Sequence, residues 1–323
     1  MAERASVLER SQIGVEAVPG TAVACGHRLM LTRIEPRPVV AVRHRRGIGS
    51  KYGVAAEAGR EHTEARLEGE AGYNELVYLL AAHLCTPVFG GSTATFVPDP
   101  FGPDTVRTLT VQAGTSARAE QFDYGIVRTL QLRFTGTEVA VTGEMFGREL
   151  AEGAALTPNA APVGTVLIGP GDWKVRVGTA MNGGDLADLT RVLECELLSR
   201  NKWKPGFFAG GSGEESFTRE VELAPETRVR LALEHDAVSA GFMATLRSAE
   251  SRLLRIEANG PEVSPGTAYQ LRIEMPFRFV ECDRGDRDEL FGSVYTLEPT
   301  YDAAFNGTGG VMKVSVTSGV TGF

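Results

Sequence analysis

An alternating segment occurs twice in this chain, and this repeat constrains the possible fold more than any other feature. Residues 63–70 read TEARLEGE and residues 227–234 read TRVRLALE, 164 positions further on. In both segments small or apolar side chains alternate with charged ones, which is the period of a half-buried β-strand. The chain is therefore expected to contain one structural unit twice.

The elements that follow each segment repeat as well. A short stretch with helical spacing comes next, at 74–84 in the first copy and at 236–248 in the second. A further strand follows, at 109–113 and at 254–258; this interval is 145 because the first copy carries an additional glycine- and proline-rich loop at 90–103. The order strand, helix, strand is thus predicted in both halves.

The repeat divides the chain near its middle. At 323 residues the chain is longer than most single domains. The boundary is expected within residues 151–162, a stretch of small residues with two prolines and no periodicity. The predicted domains are residues 1–155 and residues 156–323, the second ending in a C-terminal strand or in an arm onto a neighbouring chain.

Further alternating segments at 130–134, 193–197 and 270–275 indicate that strands dominate both halves. Alternation favours antiparallel strands with one buried face, because strands of a parallel sheet read as continuous apolar runs. The expected fold class is mainly β with some α (α+β). It comprises two tandem β-sandwich or half-barrel domains, each with one packed short α-helix and a long hairpin loop.

The two predicted helices are short and apolar on one side. The stripe of the first helix consists of Leu76, Leu79, Leu80 and His83 or Leu84. Asn74 is its expected N-cap, and His83 is expected to be a packed or capping residue at its end. The second helix has Asp236 as its N-cap, and its stripe consists of Val238, Phe242, Thr245 and Leu246. Each helix is expected to cover one open face of a sheet.

Two long segments, 44–61 and 201–219, separate strands that are expected to pair as hairpins. Both are far longer than the roughly 2–5 residues that a hairpin connection needs. The second displays Trp203, Phe207 and Phe208 among glycines, which is typical of an interface anchor. The alternative is that these aromatic side chains fold back on their own domain.

Composition and motifs indicate neither catalysis nor a cofactor. The chain has 33 basic and 41 acidic residues, a net charge of −8, which disfavours a nucleic-acid binder. No phosphate-binding, dinucleotide, zinc-protease or hydrolase motif occurs, and no apolar run approaches the ~20 residues of a membrane helix. The N-terminus lacks the apolar core of a secretory signal. The four cysteines are widely spaced and are expected to be reduced.

Acidic residues were the remaining candidates for chemistry. The segment 283–289 (DRGDRDE) offers oxygen ligands for a cation, but it lacks the calcium-loop pattern and is interpreted as a solvated turn. Carboxylate pairs such as Glu64 with Glu68 and Glu194 with Glu196 have a spacing that glycoside hydrolysis could use. Those strands lack aromatic platforms for a sugar, so no catalytic, cofactor-binding or metal-binding residues are predicted.

Several segments together resemble the major tail tube proteins of long-tailed bacteriophages. They are the opening 14–24 (GVEAVPGTAVA), the tyrosine-containing helix start 72–76 (GYNEL), and the strand, turn and strand at 254–261 and 269–274. The resemblance covers nearly the whole chain as two copies and rests on the order of elements. It implies rings whose sheets join into one inner barrel and stack into a hollow tube, a duplicated chain giving a trimer with pseudo-sixfold symmetry.

The resemblance also implies roles for particular residues. Charged strand faces would line the lumen, and a net-acidic wall would let DNA pass without binding it. The lumen-facing candidates are Glu64, Arg66, Glu68, Glu194, Glu196, Arg228, Arg230, Glu234, Gln270, Arg272 and Glu274. The candidates for contacts between stacked rings are Arg45, Arg46, Lys51, Tyr52, Trp203, Phe207 and Phe208.

The function expected from the sequence is a structural virion protein that self-assembles without a cofactor. The implied partners are further copies of the chain, a tape measure protein, and tail terminator and baseplate proteins. The implied location is the phage tail, after assembly in the host cytoplasm. The alternative is a two-domain β module that binds carbohydrate or belongs to a baseplate or surface assembly.

Overall fold

A computed structural model of the chain describes residues 9–207, 216–234, 237–284 and 292–323. The described residues are mainly β, as predicted, with two α-helices. The α-helices are α1 (Tyr73–Ala81) and α2 (Ala237–Ser248), and a 3-10 helix spans Phe305–Gly307. The strands of the first half are β1 (Arg10–Val15), β2 (His27–Leu29), β3 (Thr32–Arg46), β4 (Gly53–Glu70), β5 (Val88–Gly90), β6 (Thr93–Phe96), β7 (Leu109–Gly114), β8 (Ala119–Thr135), β9 (Val139–Gly147) and β10 (Ala151–Ala154). The remaining strands are β11 (Ala161–Pro162), β12 (Trp173–Gly178), β13 (Ala187–Asp188), β14 (Val192–Arg200), β15 (Trp203–Gly206), β16 (Arg219–Glu222), β17 (Glu226–Glu234), β18 (Arg252–Ser264), β19 (Thr267–Arg284), β20 (Gly292–Pro299) and β21 (Lys313–Thr317).

Eight strands form one continuous antiparallel run through both halves. Their order is β3–β4–β9–β8–β14–β17–β20–β19. The first four strands belong to the first half of the chain and the last four to the second half. The β8–β14 pair joins the two sets edge to edge, and we call this pair the internal seam.

The two four-stranded units have the same strand order and the same pairing register over most of their length. Leu67 of β4 pairs with Ile34 of β3, and Leu231 of β17, 164 positions after Leu67, pairs with Cys195 of β14. A β-bulge interrupts the β8–β9 pairing at Arg128, and one interrupts the β19–β20 pairing at the matching place, Val280. The repeat read from the alternating segments is therefore also present in the strand pairing.

The long strands β8 and β19 continue from this run into a second group of strands. The first part of β8 pairs with β7 and β10, and the first part of β19 pairs with β18 and β21. β7 also pairs with β1, which in turn pairs with β2. β18 also pairs with β12, and β21 also pairs with β6. Apolar residues of the eight-stranded run and of the second group belong to one buried cluster, so both groups face a common core.

Helix α1 lies inside this core, contrary to the one-sided helix expected from its sequence. All of its residues, Tyr73–Ala81, are buried, and the helix contacts β6, β19 and β21. Its N-cap is Gly72; the side chain of Asn74 instead bonds the backbone of Gly164 and Gly319. The predicted stripe residues are buried as expected, but the expectation of a one-sided helix was wrong, because segments far away in the sequence cover the other side.

Helix α2 agrees better with its predicted pattern. Phe242 and Thr245 are buried and Leu246 is half-buried, whereas Ala244 and Arg247 are exposed. Phe242 packs against Phe279 of β19 and Tyr295 of β20. The predicted cap Asp236 lies outside the described residues.

Three segments expected to be loops, a linker or an arm are part of the sheet. Residues 44–61 belong to an extended hairpin of β3 and β4 whose connection is only 47–52. The predicted boundary 151–162 contains β10 and β11, which pair with β8 and β2. The C-terminal β21 is not an arm onto a neighbour, because it lies between β19 and β6 of its own chain. The sequence hides these roles because each depends on a distant partner strand.

Candidate interaction surfaces

One face of the eight-stranded run is polar and carries eight of the eleven residues predicted to line a lumen. They are Glu64, Arg66 and Glu68 on β4, Glu194 and Glu196 on β14, and Arg228, Arg230 and Glu234 on β17. Their neighbours along each strand, such as Leu67, Leu197 and Leu231, point to the core instead. Strand alternation thus placed these side chains on the same face.

The other three candidates do not lie on this face. Gln270, Arg272 and Glu274 are in the part of β19 that pairs with β18 and β21, on the face of the second group that points away from the core, and Glu274 is buried there. Arg255 donates to Glu274 (Nε to Oε1, 2.7 Å), and Gln270 donates to Glu257 (Nε2 to Oε1, 3.0 Å). The structure therefore separates the predicted set into two surfaces, because β19 changes partners along its length.

Arginines and carboxylates on the polar face pair across neighbouring strands. Arg133 of β8 donates to Glu194 of β14 across the internal seam (Nε to Oε1, 2.7 Å). Arg228 of β17 donates to Glu298 of β20 (Nε to Oε1, 3.1 Å). Further ion pairs are Arg37–Glu64, Arg66–Glu68, Arg128–Glu144, Arg200–Glu226 and Arg230–Glu196. Exposed pairs of this kind stabilise little individually, but they neutralise most of the face.

Carboxylates remain in excess on this face. Outside the β3–β4 hairpin tip, it carries nine arginines (Arg33, Arg37, Arg66, Arg128, Arg133, Arg200, Arg228, Arg230, Arg278) and twelve carboxylates (Glu35, Glu64, Glu68, Glu70, Glu144, Glu194, Glu196, Glu226, Glu234, Glu281, Asp283, Glu298). The formal balance is 9 − 12 = −3. The face is therefore mildly acidic and has no basic patch within the described residues.

The distal part of the β3–β4 hairpin, residues 41–60, projects as a two-stranded structure that we call the arm. Arg45, Arg46, Lys51 and Tyr52, all predicted contact residues, lie at or next to its tip and are exposed. Ile48 at the turn is also fully exposed. An isolated two-stranded hairpin is marginally stable in water, so an arm with exposed apolar side chains is typical of a segment that docks on a partner.

Trp203, another predicted contact residue, is buried inside its own chain. It belongs to a small cluster with Tyr124, Ile126, Phe146 and Phe217, and its indole Nε1 donates to the carbonyl of His83 (2.7 Å). These partners come mostly from the first half. Trp203 therefore joins the two halves and is removed from the set of candidates for contact between rings.

Phe207 is half-buried at the base of the arm, and Phe208 lies outside the described residues. The Phe207 ring packs edge-on against His62 and lies beneath the guanidinium of Arg60, at 5.4 Å. It therefore packs within the chain as well, which is the fold-back alternative for this segment.

Lys202, next to Trp203, forms a buried ion pair that sequence reasoning missed. Its Nζ lies 2.6 Å from Asp104 Oδ2 and also donates to the carbonyl of Leu84, so a residue of the second half bonds two of the first. The two charged side chains are 3% and 7% exposed. A lysine in a polar glycine-rich segment carries no sequence signal of burial, because its partner is about a hundred positions away.

His83 is buried at the internal seam, in agreement with its expected packing role. Its Nδ1 lies 3.0 Å from the carbonyl of Val127, and its Nε2 lies 2.8 Å from the hydroxyl of Ser199. Since a carbonyl only accepts, Nδ1 carries the proton and Nε2 accepts from Ser199. Burial is the main cause that lowers the pKa of His83 to about 4, so the ring is neutral at pH 7.

The described residues offer few features of a ligand site. They contain no cluster of three or more His, Cys, Asp or Glu side chains arranged to hold a metal ion. Neither helix in the described ranges is long and apolar enough to cross a membrane. An open groove of about 690 Å³ lies beneath the arm, lined by Arg43, Arg45, Glu57, Arg60 and Phe207. The ring of Phe207 is half-buried, because Arg60 lies over it and His62 packs against it edge-on.

Comparisons with known proteins do not assign a family. No protein-family model matches the chain, and no curated protein matches it.

Proposed function

We propose that this chain is a structural protein that assembles into rings, and that the rings stack into a hollow tube, as the resemblance to phage tail tube proteins implies. One observation carries the proposal most strongly. The eight-stranded run consists of two equivalent four-stranded units joined edge to edge, and within the described residues both of its ends lack a strand partner. A chain that already joins two units through the internal seam can join further units in the same way.

The two ends of the run are different strand edges, so the edge of one chain can pair with the other edge of a neighbouring chain. One end is β3, which pairs only with β4 in the described structure; the other is the second part of β19, which pairs there only with β20. Open strand edges attract further strands, and a head-to-tail contact that repeats with a fixed rotation closes a ring. Because each chain supplies two units, three chains would give a ring of six units.

The arm supports stacking of one ring on the next. Residues 41–60 carry five basic residues and one carboxylate, Glu57, in a chain whose net charge is −8. At the opposite ends of the strands lie the exposed carboxylates of Glu70 and Glu138, together with Glu234, which is paired with Arg191 (Oε1 to Nη1, 3.3 Å). A basic arm at one end of the sheet and an acidic rim at the other favour a head-to-tail stack of rings, with the arm on the rim.

The polar face of the eight-stranded run is the proposed wall of the lumen. Its net acidic balance, with most of the arginines held in ion pairs, leaves little to attract a phosphate backbone. A duplex could then pass without being bound. In this proposal the chain acts in the virion tail after assembly in the host cytoplasm. The tape measure, terminator and baseplate proteins are its further partners, and it is not an enzyme.

The alternative function is a two-domain β module that binds carbohydrate or belongs to another surface assembly. The groove beneath the arm is the place where such a ligand would bind. Its one phenyl ring, Phe207, already packs against Arg60 and His62 of the chain itself, which favours the assembly function.

Electron microscopy of the purified chain over a concentration series tests the proposal. We expect closed rings with three chains and six similar lobes, and tubes of stacked rings at higher concentration. Dispersed monomers at millimolar concentration, with glycan binding in a solution assay, would favour the alternative.

A further inference from the structure

The internal seam defines how one four-stranded unit joins the next. In this seam Leu132 of β8 lies opposite Leu197 of β14, and Leu130 lies opposite Ser199. All four side chains are buried. A seam between two chains that copies this geometry would place the second part of β19 against β3 of a neighbour.

The repeat gives the register of that second seam. The matching bulges at Arg128 and Val280 make Cys282 of β19 the equivalent of Leu130 of β8. On the other side, Ile34 of β3 is the equivalent of Cys195 of β14, because they pair with the equivalent residues Leu67 and Leu231.

Counting along both strands makes Pro38 the equivalent of Ser199 and Pro36 the equivalent of Leu197. Cys282 then lies opposite Pro38 of the neighbouring copy, and Asp283 lies opposite Arg37.

The side chains that would meet in this register are more exposed than their equivalents in the internal seam, as expected for a seam whose partner strand is not present. Cys282 is half-buried and Pro38 is exposed, whereas their equivalents Leu130 and Ser199 are buried. Asp283 and Arg37 are exposed and opposite in charge. A neighbouring strand in this register would bury the first pair and bring the second pair together.

The two prolines make the β3 edge different from the β14 edge. The amide of Ile34 donates to the hydroxyl of Ser11 (2.9 Å), which shows that it points away from β4. The pairing of β3 with β4 runs without a shift from Thr32 to Val40, so Pro36 and Pro38 face the same side of β3 as the Ile34 amide, the side away from β4. Proline has no N–H, and the open edge therefore offers carbonyl acceptors at these positions but no donors.

We propose that Pro36 and Pro38 weaken the seam between copies relative to the seam within the chain, and so delay assembly until the concentration of the chain is high. This inference rests on the proposed function, since it concerns the same edges. In the stated register each proline carbonyl accepts from the neighbouring β19, but the reciprocal bond is lost. The edge is thereby protected from indiscriminate pairing while it still accepts its own partner.

The register is tested by cross-linking Pro38→Cys through the native Cys282. Residues directly opposite at a hydrogen-bonded position have Cα atoms about 5.5 Å apart, which a disulfide can span. We expect a ladder of covalent dimers and trimers under mild oxidation, and its loss when Cys282→Ser is added. Rings that form without this cross-link would overturn the register while leaving the proposed function intact.

The weakening of the seam by the prolines is tested with the double substitution Pro36→Leu and Pro38→Ser, which copies Leu197 and Ser199 of the second half. Two restored donors should lower the concentration at which rings form by about tenfold or more. The control is Pro103→Ser, an exposed proline outside the strands. Circular dichroism and thermal unfolding identify any variant that fails to fold.

The outcomes separate the inference from the proposed function. If the folded double variant assembles at an unchanged concentration, the inference that the prolines weaken the seam is wrong. The proposed function would stand in that case, because rings still form. A chain that never associates, with or without the prolines, would overturn the proposed function and the inference together.

Discussion

Two buried carboxylates accept hydrogen bonds from backbone amides that no neighbouring strand pairs. Glu75 of α1 is buried, and its carboxylate accepts from the amides of Met30, Leu31 and Thr32 at 2.6–3.0 Å. Glu16 is also buried and binds the turn that follows it by accepting from the amide of Gly20 (2.7 Å). A carboxylate suits both places because it only accepts and can accept several bonds. The segments 14–24 and 72–76, which carry the family resemblance, thus include residues that fix local backbone.

His83 gives a residue-scale prediction about acid. Its folded-state pKa of about 4 lies below the value near 6.5 of the unfolded chain. As the pH falls below 6.5 the unfolded chain takes up a proton that the folded chain does not, so stability falls until the pH reaches about 4. The loss from this residue is roughly 3 kcal/mol.

Urea unfolding at a series of pH values checks this prediction. The variant His83→Gln should lose less stability than wild type between pH 7 and pH 4. His44→Gln, which removes an exposed histidine of the arm, is the control and should follow wild type. Parallel curves for His83→Gln and wild type would contradict the assignment.

Lys202 gives a second prediction at this scale. Replacing it with methionine leaves Asp104 buried without its cation, which should cost roughly 3–5 kcal/mol of unfolding free energy. Adding Asp104→Asn should recover part of that loss, because the unpaired charge is then removed. Denaturant unfolding measures both variants; a single variant within about 0.5 kcal/mol of wild type would show that the pair does not hold the halves together.

At the scale of elements, the arm is the segment whose role can be tested separately. We predict that the triple substitution Arg45→Glu, Arg46→Glu and Lys51→Glu abolishes tubes but leaves rings, because the arm projects from the sheet and its exposed ion pairs contribute little to stability. Electron microscopy and sedimentation measure the two states. The control is Glu57→Gln, which removes the single carboxylate of the arm and should preserve tubes.

Loss of rings in the triple variant, or tubes that are unchanged, would contradict this assignment of the arm.

Strand positions could be predicted from the sequence because alternation reports local exposure. The segments 63–70 and 227–234 lie in β4 and β17, and their polar faces were predicted correctly. Burial of α1 and the pairing of β21 with β6 could not be predicted, since both depend on contacts between the two ends of the chain. A one-sided pattern in a short helix indicates its most apolar face, but it does not reveal what covers the other face.

The candidate contact residues show the same limit. Exposure of Tyr52 agrees with the expectation for a contact residue, whereas Trp203 and Phe207 were expected at an interface and pack within the chain. Aromatic residues among glycines indicate an anchor, but the sequence does not say whether it binds another chain or the other half of its own. Here the second half anchors on the first.

At the scale of the whole molecule, the duplicated chain behaves as a fused pair of units. The internal seam and the Lys202 contact join the halves, and a single core contains residues of both. The predicted division into residues 1–155 and 156–323 therefore describes a repeat in sequence and strand order. We expect the halves to unfold together, in one transition in calorimetry. Two well-separated transitions would indicate halves with independent cores.

In the proposed assembly, the open edges of one chain join those of the next into a closed ring. Mass measurement of the assembled particle, by native mass spectrometry with electron microscopy of the same sample, tests it most directly. We expect a particle of three chains with six similar lobes around a central hole. A particle with two-fold symmetry, or a chain that remains monomeric at every concentration tested, would contradict it.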